Sequence, residues 1–156
     1  MSDIAYSRLA TAEDEHLLSR LFAESRIGEL AGCGIPPAKL EKLVQLQRRG
    51  QQMTYLQQYP LAENLILLSE NGVPAGRLLL DRQPERWRII DIAVLAEYRR
   101  SGVATRAIRE CQCRTPRVRL ELQVNPLHPA RTLYERLGFR VVTATALSLE
   151  MVWTAG

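Results

Sequence analysis

Asp91 is the only charged residue inside the apolar run Ile89-Ile90-Asp91-Ile92-Ala93-Val94. A carboxylate held among apolar side chains titrates above its usual range when desolvated, which suits a general base working near neutral pH. The same position also suits a carboxylate that merely accepts hydrogen bonds from a neighbouring loop or helix terminus. The run leads into Glu97-Tyr98-Arg99-Arg100-Ser101-Gly102 and then Val103-Ala104-Thr105. A strand that turns through small residues into a helix exposes the first N–H groups of that helix, and the aligned peptide dipoles favour an anion there. Five further residues carry readings of their own. Gln51, Tyr55 and Tyr59 either belong to the solvated face of a glutamine-rich helix or line a cleft. His128 is either an exposed helix start or a ligand contact. Tyr134, taken alone, is plain core.

The elements that position these residues follow from periodicity and turn chemistry. Ile4 to Leu9 reads as a first strand. Thr11 and the acidic first turn after it open a helix over about 12–25, with Leu17, Leu18, Leu21 and Phe22 at helical spacing. Gly28, Gly32, Gly34 and Pro36-Pro37 read as a loop. A second helix starts near Pro37 or Ala38, with Gly50 as a point of division. Asn64–Ser69, Val73–Leu80 and Trp87–Val94 form three strands of an antiparallel meander around the Asn71-Gly72 turn. Strict alternation puts Trp87, Ile89, Asp91 and Ala93 on one face and Arg88, Ile90, Ile92 and Val94 on the other. A helix over about 103–113 buries Val103, Ala107, Ile108 and Cys111, and ends at Thr115-Pro116. Arg117–Val124 is a strand with an apolar face (Val118, Leu120, Leu122, Val124). Its polar face (Arg117, Arg119, Glu121, Gln123) must see solvent, a cleft or another subunit. A helix from His128-Pro129-Ala130 ends at Gly138, and Phe139–Thr143 with Ala146–Trp153 make a final hairpin.

Bulk composition narrows the classes. A length of 156 residues indicates one domain, and 46% apolar with 24% charged residues is the balance of an ordinary globular chain. No apolar run reaches the length of a membrane span, and Met-Ser-Asp-Ile lacks a leader pattern, so a cytoplasmic protein without membrane partners is expected. Cys33, Cys111 and Cys113 have no metal-ligand spacing and read as free thiols, with no metal expected. The net charge of +4 suits an anionic ligand. Scattered basic residues and few aromatics argue against nucleic acid. Neither Gly-x-x-x-x-Gly-Lys-Ser/Thr nor Gly-x-Gly-x-x-Gly occurs.

Two pieces together resemble a known family. Asp91 to Thr105 contains Arg99-x-x-Gly102-x-Ala104, and Val124 to Phe139 contains Ala130-Arg131-x-Leu133-Tyr134-Glu135-x-x-Gly138-Phe139. In this order they resemble the GNAT superfamily of acyl-CoA-dependent N-acetyltransferases. The resemblance is residue-specific from Ile89 to Phe139 and architectural elsewhere. It implies an α/β (α+β) fold, with a mixed, mostly antiparallel sheet of about seven strands and helices on both faces. It also implies a CoA-binding core at about 87–140 and acceptor-side helices at about 12–58 of a single 1–156 domain.

The resemblance implies site roles too. Backbone groups from Arg100 through Ser101, Gly102, Val103 and Ala104 to Thr105 would hold the pyrophosphate of acetyl-CoA, with Arg99 and Arg100 adding charge. Ala93 and Val94 would pair with the pantetheine arm, and Asn125 and Arg131 would contact the cofactor. Tyr134 would protonate the departing thiolate. Asp91, Glu121 or a water chain would take the proton of a small-molecule or peptide amine. Arg100 stands where many relatives carry glycine, and His128 where an asparagine is frequent. The rival reading is a module that binds acyl-CoA without catalysis. The polar face of 117–123 and the C-terminal strands could support a homodimer.

Overall fold

Alternating apolar residues build a single sheet whose strand order is β1-β2-β3-β4-β5-β7-β6 in the computed structural model, which describes residues 3–30 and 34–156. The strands are β1 (Ser7–Leu9), β2 (Glu63–Leu68), β3 (Pro74–Arg82), β4 (Arg86–Val94), β5 (Arg119–Val124), β6 (Arg140–Ala144) and β7 (Leu149–Trp153). All neighbours pair antiparallel except β4 and β5, which run parallel. The helices are α1 (Glu15–Leu30), α2 (Pro37–Gln58), α3 (Val103–Arg114) and α4 (Ala130–Arg136). The mixed seven-stranded sheet with helices on both faces is the expected architecture.

The main core fills the face of the sheet under α3 and α4, where Leu65, Leu78, Leu80, Leu120, Leu122 and Met151 meet Val103, Ile108 and Tyr134. All four expected inner residues of α3 are buried. A smaller cluster on the opposite face joins Leu18 and Leu21 of α1 to Ile66 and Leu95. Burial of these side chains supplies most of the drive for the sheet to take this register, about 1.5–3 kcal/mol for each large apolar residue.

Four expectations are corrected. The first helix does not begin at residue 12: Ala12–Asp14 is a 3-10 turn, closed by the Thr11 N–H donating to Asp14 Oδ2 at 2.8 Å. It also does not end at Ser25, because α1 continues through Gly28 to Leu30. Gly50 does not divide α2, since one helical glycine costs only about 1 kcal/mol in a helix of 22 residues. Gly32 and Cys33 lie outside the described residues. The most consequential correction concerns the face of Asp91. Leu79 pairs with Asp91 but Leu80 pairs with Ile89, so Ile90 is an extra residue on β4. This bulge inverts the alternation. Trp87, Ile89, Ile92 and Val94 all pack on the main core, whereas Ala93 packs on the smaller cluster. Asp91 therefore does not share a face with Ile89.

Candidate active site

The bulge at Ile90 coincides with the end of the β4–β5 ladder. Parallel pairing runs from Arg86↔Arg119 to Ile89↔Leu122 and goes no further. Beyond that point the strands part, because a bulged strand bends and twists away from its neighbour. Gly76 of β3 holds the other edge of β4 so closely that a Cβ there would stand 2.5 Å from the Ala93 carbonyl oxygen. The edge of β4 facing the opening thus keeps unpaired backbone groups past Ile89. The opening is a recess of about 180 Å³, with Ile90, Asp91, Asn125, His128 and Tyr134 in its walls.

Tyr134 is 7% exposed and packs edge-on against Phe139, with ring centroids 6.0 Å apart. Burial, and secondarily the charge of Asp91, pushes its phenol up to about 12. Burial also raises the Asp91 carboxyl above its ordinary value, against the opposing pull of the Arg77 guanidinium. Arg77 Nη1 donates to Asp91 Oδ2 at 3.2 Å, so Asp91 does accept a hydrogen bond, from a neighbouring strand and not from a loop or helix terminus. Its side chain remains 32% exposed, open enough to meet a ligand. Asp91 and Tyr134, expected as base and acid, thus line one recess.

Glu121, the alternative base, is placed elsewhere. It accepts from Arg119 at 2.9 Å and Arg88 at 3.2 Å, and pairs with Arg86 at 3.4 Å. Arg88 in turn bridges to Glu150. The polar face of β5 is therefore satisfied by an ion-pair lattice across β4, β5 and β7. Glu121 does not line the recess between the strands.

A larger recess of about 600 Å³ lies where β4 passes into α3. Val94, Arg99, Arg100, Gly102, Val103, Ala104 and Thr105 line it, as expected, and every charged residue in its wall is an arginine. Gly102 caps α3 with φ of 84°, a left-handed conformation that glycine adopts without steric penalty, and no side chain caps the first amides of the helix. Those amides and the three arginines are groups able to receive an anion. Arg100 has φ of 66°, which explains why glycine suits this position.

Some expected contacts fall outside this recess. The Ser101 hydroxyl donates to the Tyr98 carbonyl and closes the turn instead. Ala93 faces the other side of the sheet. Arg131 pairs with Glu135 at 2.7 Å, and Arg136 takes its place in the wall. The spacing Ala130, Leu133, Arg136 along one helix face was the available signal for Arg136. Asn125 lines the inner recess, while its Oδ1 accepts from the Leu127 amide at 2.9 Å.

On the far side of Asp91 a third recess, about 210 Å³, is walled by Phe22, Arg26, Gln51, Arg77 and His128. His128 thus borders both sides, while its Nδ1 accepts from the Ala130 amide at 3.0 Å. Tyr55 and Tyr59 line a fourth recess of about 310 Å³ that shares Arg77 with the third. No sequence signal singled out Arg77, because its relation to Asp91 depends on register across two strands. Among the described residues, no group of three or more His, Cys, Asp or Glu side chains could hold a metal ion, and no helix is long and apolar enough to cross a membrane.

The model of the Acetyltransferase (GNAT) family matches residues 38–139. Among solved structures, the fold is similar to that of the PaiA N-acetyltransferase of Thermoplasma acidophilum in complex with coenzyme A, with TM-score 0.68 and 15% identity over 94% of this chain and 96% of that one. It is also similar to an acetyltransferase of Thermus thermophilus, with TM-score 0.65 and 21% identity over 96% and 97%. An N-acetyltransferase of Staphylococcus aureus gives TM-score 0.63 and 16% identity over 96% and 100%. A comparison with curated proteins finds no match.

Proposed function

The chain belongs to the acetyltransferase (GNAT) family, and from that premise we propose that it moves the acetyl group of acetyl-CoA to a primary amine by direct attack in a ternary complex. The observation that carries this reading is the opening between β4 and β5, which brings Asp91 and Tyr134 into one recess. The arginine-lined entry to α3 is the site for the pyrophosphate. The pantetheine arm would add to the free edge of β4 near Val94, in the manner of an extra strand. A backbone N–H of that edge would receive the thioester carbonyl oxygen as it gains charge. The donor half is about 87–140, and the helices within about 12–58 wall the acceptor side.

The step balances within these residues. The amine nitrogen attacks the carbonyl carbon and an N–C bond forms. Its proton passes to the Asp91 carboxylate, directly or through water. The C–S bond breaks, and the sulfur takes a proton from the Tyr134 hydroxyl. Release of free CoA thiol from acetyl-CoA, followed across a panel of amines, tests the reading. Amine-dependent release supports it; tight acetyl-CoA binding with no release for any amine would instead identify a non-catalytic binding module.

The loop offers an independent check. Arg100→Gly removes the left-handed strain and also one cation from the anion site. Allowing for the greater freedom of glycine in the unfolded chain, the variant should gain about 0.5–1 kcal/mol. Thermal unfolding should then show Tm higher by about 1–4 °C. Titration with acetyl-CoA should show binding weaker by about 5-fold, the upper end of the scale for one solvent-exposed charge pair. Unchanged affinity would remove the Arg100 side chain from the pyrophosphate site.

A further inference from the structure

Arg77 stands beside Asp91, and acetyl transfer itself does not use it. Its side chain is 14% exposed and clamped across three strands. Nε donates to Asn64 Oδ1 of β2 at 2.9 Å, and Nη1 donates to Asp91 Oδ2 of β4 at 3.2 Å. Nη2 has no hydrogen bond among the described residues. The guanidinium is therefore held rigidly with one donor edge left over. It lies at the junction of the two acceptor-side recesses, forming part of both walls.

Among the described residues, Asp91 is the only acid in either wall, and the Arg77 guanidinium stands beside it. A polyamine or a lysine-rich peptide would bring several positive charges to walls whose described residues hold one carboxylate, already paired with Arg77. An acceptor that covers Arg77 must also satisfy the remaining N–H edge, because a buried charged donor without a partner is strongly unfavourable. Both requirements are met by an acceptor that carries a carboxylate beside its amine. The Asp91–Arg77 pair presents opposite charges 3.2 Å apart, a spacing that the two charged groups of one α-carbon can span. Beyond Arg77, the recess formed by Tyr55, Leu56, Tyr59 and Leu79 offers about 310 Å³ of mainly apolar wall.

We propose that the acceptor is an α-amino acid with a large apolar or aromatic side chain. Its amine lies against Asp91, its carboxylate on Arg77 Nη2, and its side chain in the recess of Tyr55 and Tyr59. This assignment rests on the amine-acetylation reading above and names the acceptor class for it. Arg77 is then a specificity-determining residue: it sets which amine is chosen, and the bond-making step runs through Asp91 and Tyr134.

The test compares each amino acid with its decarboxylated counterpart. L-Phenylalanine, L-tyrosine and L-leucine are set against phenethylamine, tyramine and isoamylamine, with spermidine as the polycation, and CoA release is followed for each. The better amino acids should exceed their amine partners by about 100-fold in kcat/KM. In Arg77→Gln that ratio should fall to within about 3-fold of one, and a ratio is insensitive to any general loss of activity through Asp91. Decarboxylated amines or spermidine used as well as the amino acids, by the wild-type protein, would overturn the assignment. A second measurement does not depend on turnover: thermal stabilisation of the CoA-saturated protein by N-acetyl-L-phenylalanine against N-acetylphenethylamine. Preference for the carboxylate compound without release of CoA from any amine would sustain the carboxylate site and defeat the transfer reading. No preference in either measurement would defeat the carboxylate site itself.

Discussion

Tyr134→Phe should lower kcat about 100-fold or more while KM for acetyl-CoA stays within about 2-fold, the pattern of a group that acts in the transition state alone. The substitution removes one hydroxyl and keeps the ring that packs on Phe139, so Tm should barely move. At first sight a phenol near 12 is a poor donor to a thiolate whose ordinary pKa is about 8.5. The environment reduces that mismatch. Burial that disfavours a phenolate disfavours a thiolate as well, and the buried thiol of Cys111 in this same core is also pushed up to about 12. A thiolate leaving beside Tyr134 would be raised in the same direction, which narrows the gap between donor and acceptor. The raised phenol has a second consequence. Tyr134 stays protonated throughout the working range, so loss of the acid form should not be seen below about pH 11. CoA release measured with a thiol reagent separates kcat from KM directly. A variant with unchanged turnover would take Tyr134 out of the mechanism and leave solvent as the proton source.

What can be read from residue types divides along a physical line. Features encoded within one short segment are legible. Arg99-x-x-Gly102-x-Ala104 forms the turn and helix entry it suggests, and Leu120, Leu122 and Val124 take the inner face of β5. Features that depend on pairing between segments are not. Alternation along 87–94 assumes two residues on one strand for two on the next, and a single extra residue at Ile90 reverses every side chain beyond it. Asp91 stands out in the sequence, but simple alternation gives it apolar neighbours from the wrong face. Arg77 sits in an apolar strand and gives no sign of its role until register brings it beside Asp91 and Asn64. Glu121 looks free on an exposed strand face, yet three arginines from two strands converge on it. Helix ends fail for a related reason. Gly28 and Gly50 are weak helix residues by local propensity, but each costs about 1 kcal/mol, less than the packing of α1 and α2 against each other can offset.

Asp91→Asn is expected to lower kcat/KM by about 100-fold or more at neutral pH, and to abolish the ascending limb that the carboxylate contributes to the pH profile. The direction follows from ionisation. A base must be deprotonated to act, so activity carried by Asp91 is low below its pKa and rises as pH passes through it. Burial raises that pKa above 3.8, so the limb lies on the neutral side of the ordinary carboxylate range. The acceptor must also lose a proton before it attacks, and an aliphatic amine near 10 would add its own rise at higher pH. A weakly basic aromatic amine, already neutral above about pH 6, moves that second ionisation out of the way and leaves any Asp91 limb above about pH 6 to be observed alone. With such an acceptor the wild-type rate should level off once Asp91 is ionised, and the Asp91→Asn variant should be low and flat across the same range. Asparagine retains the size of the side chain and an oxygen that can accept from Arg77, so loss of activity with an unchanged circular dichroism spectrum isolates the chemistry from the fold. If Asp91→Asn keeps activity within about 3-fold and the same limb, the proton leaves by another route. His128, which borders both recesses, would then be the next group to replace.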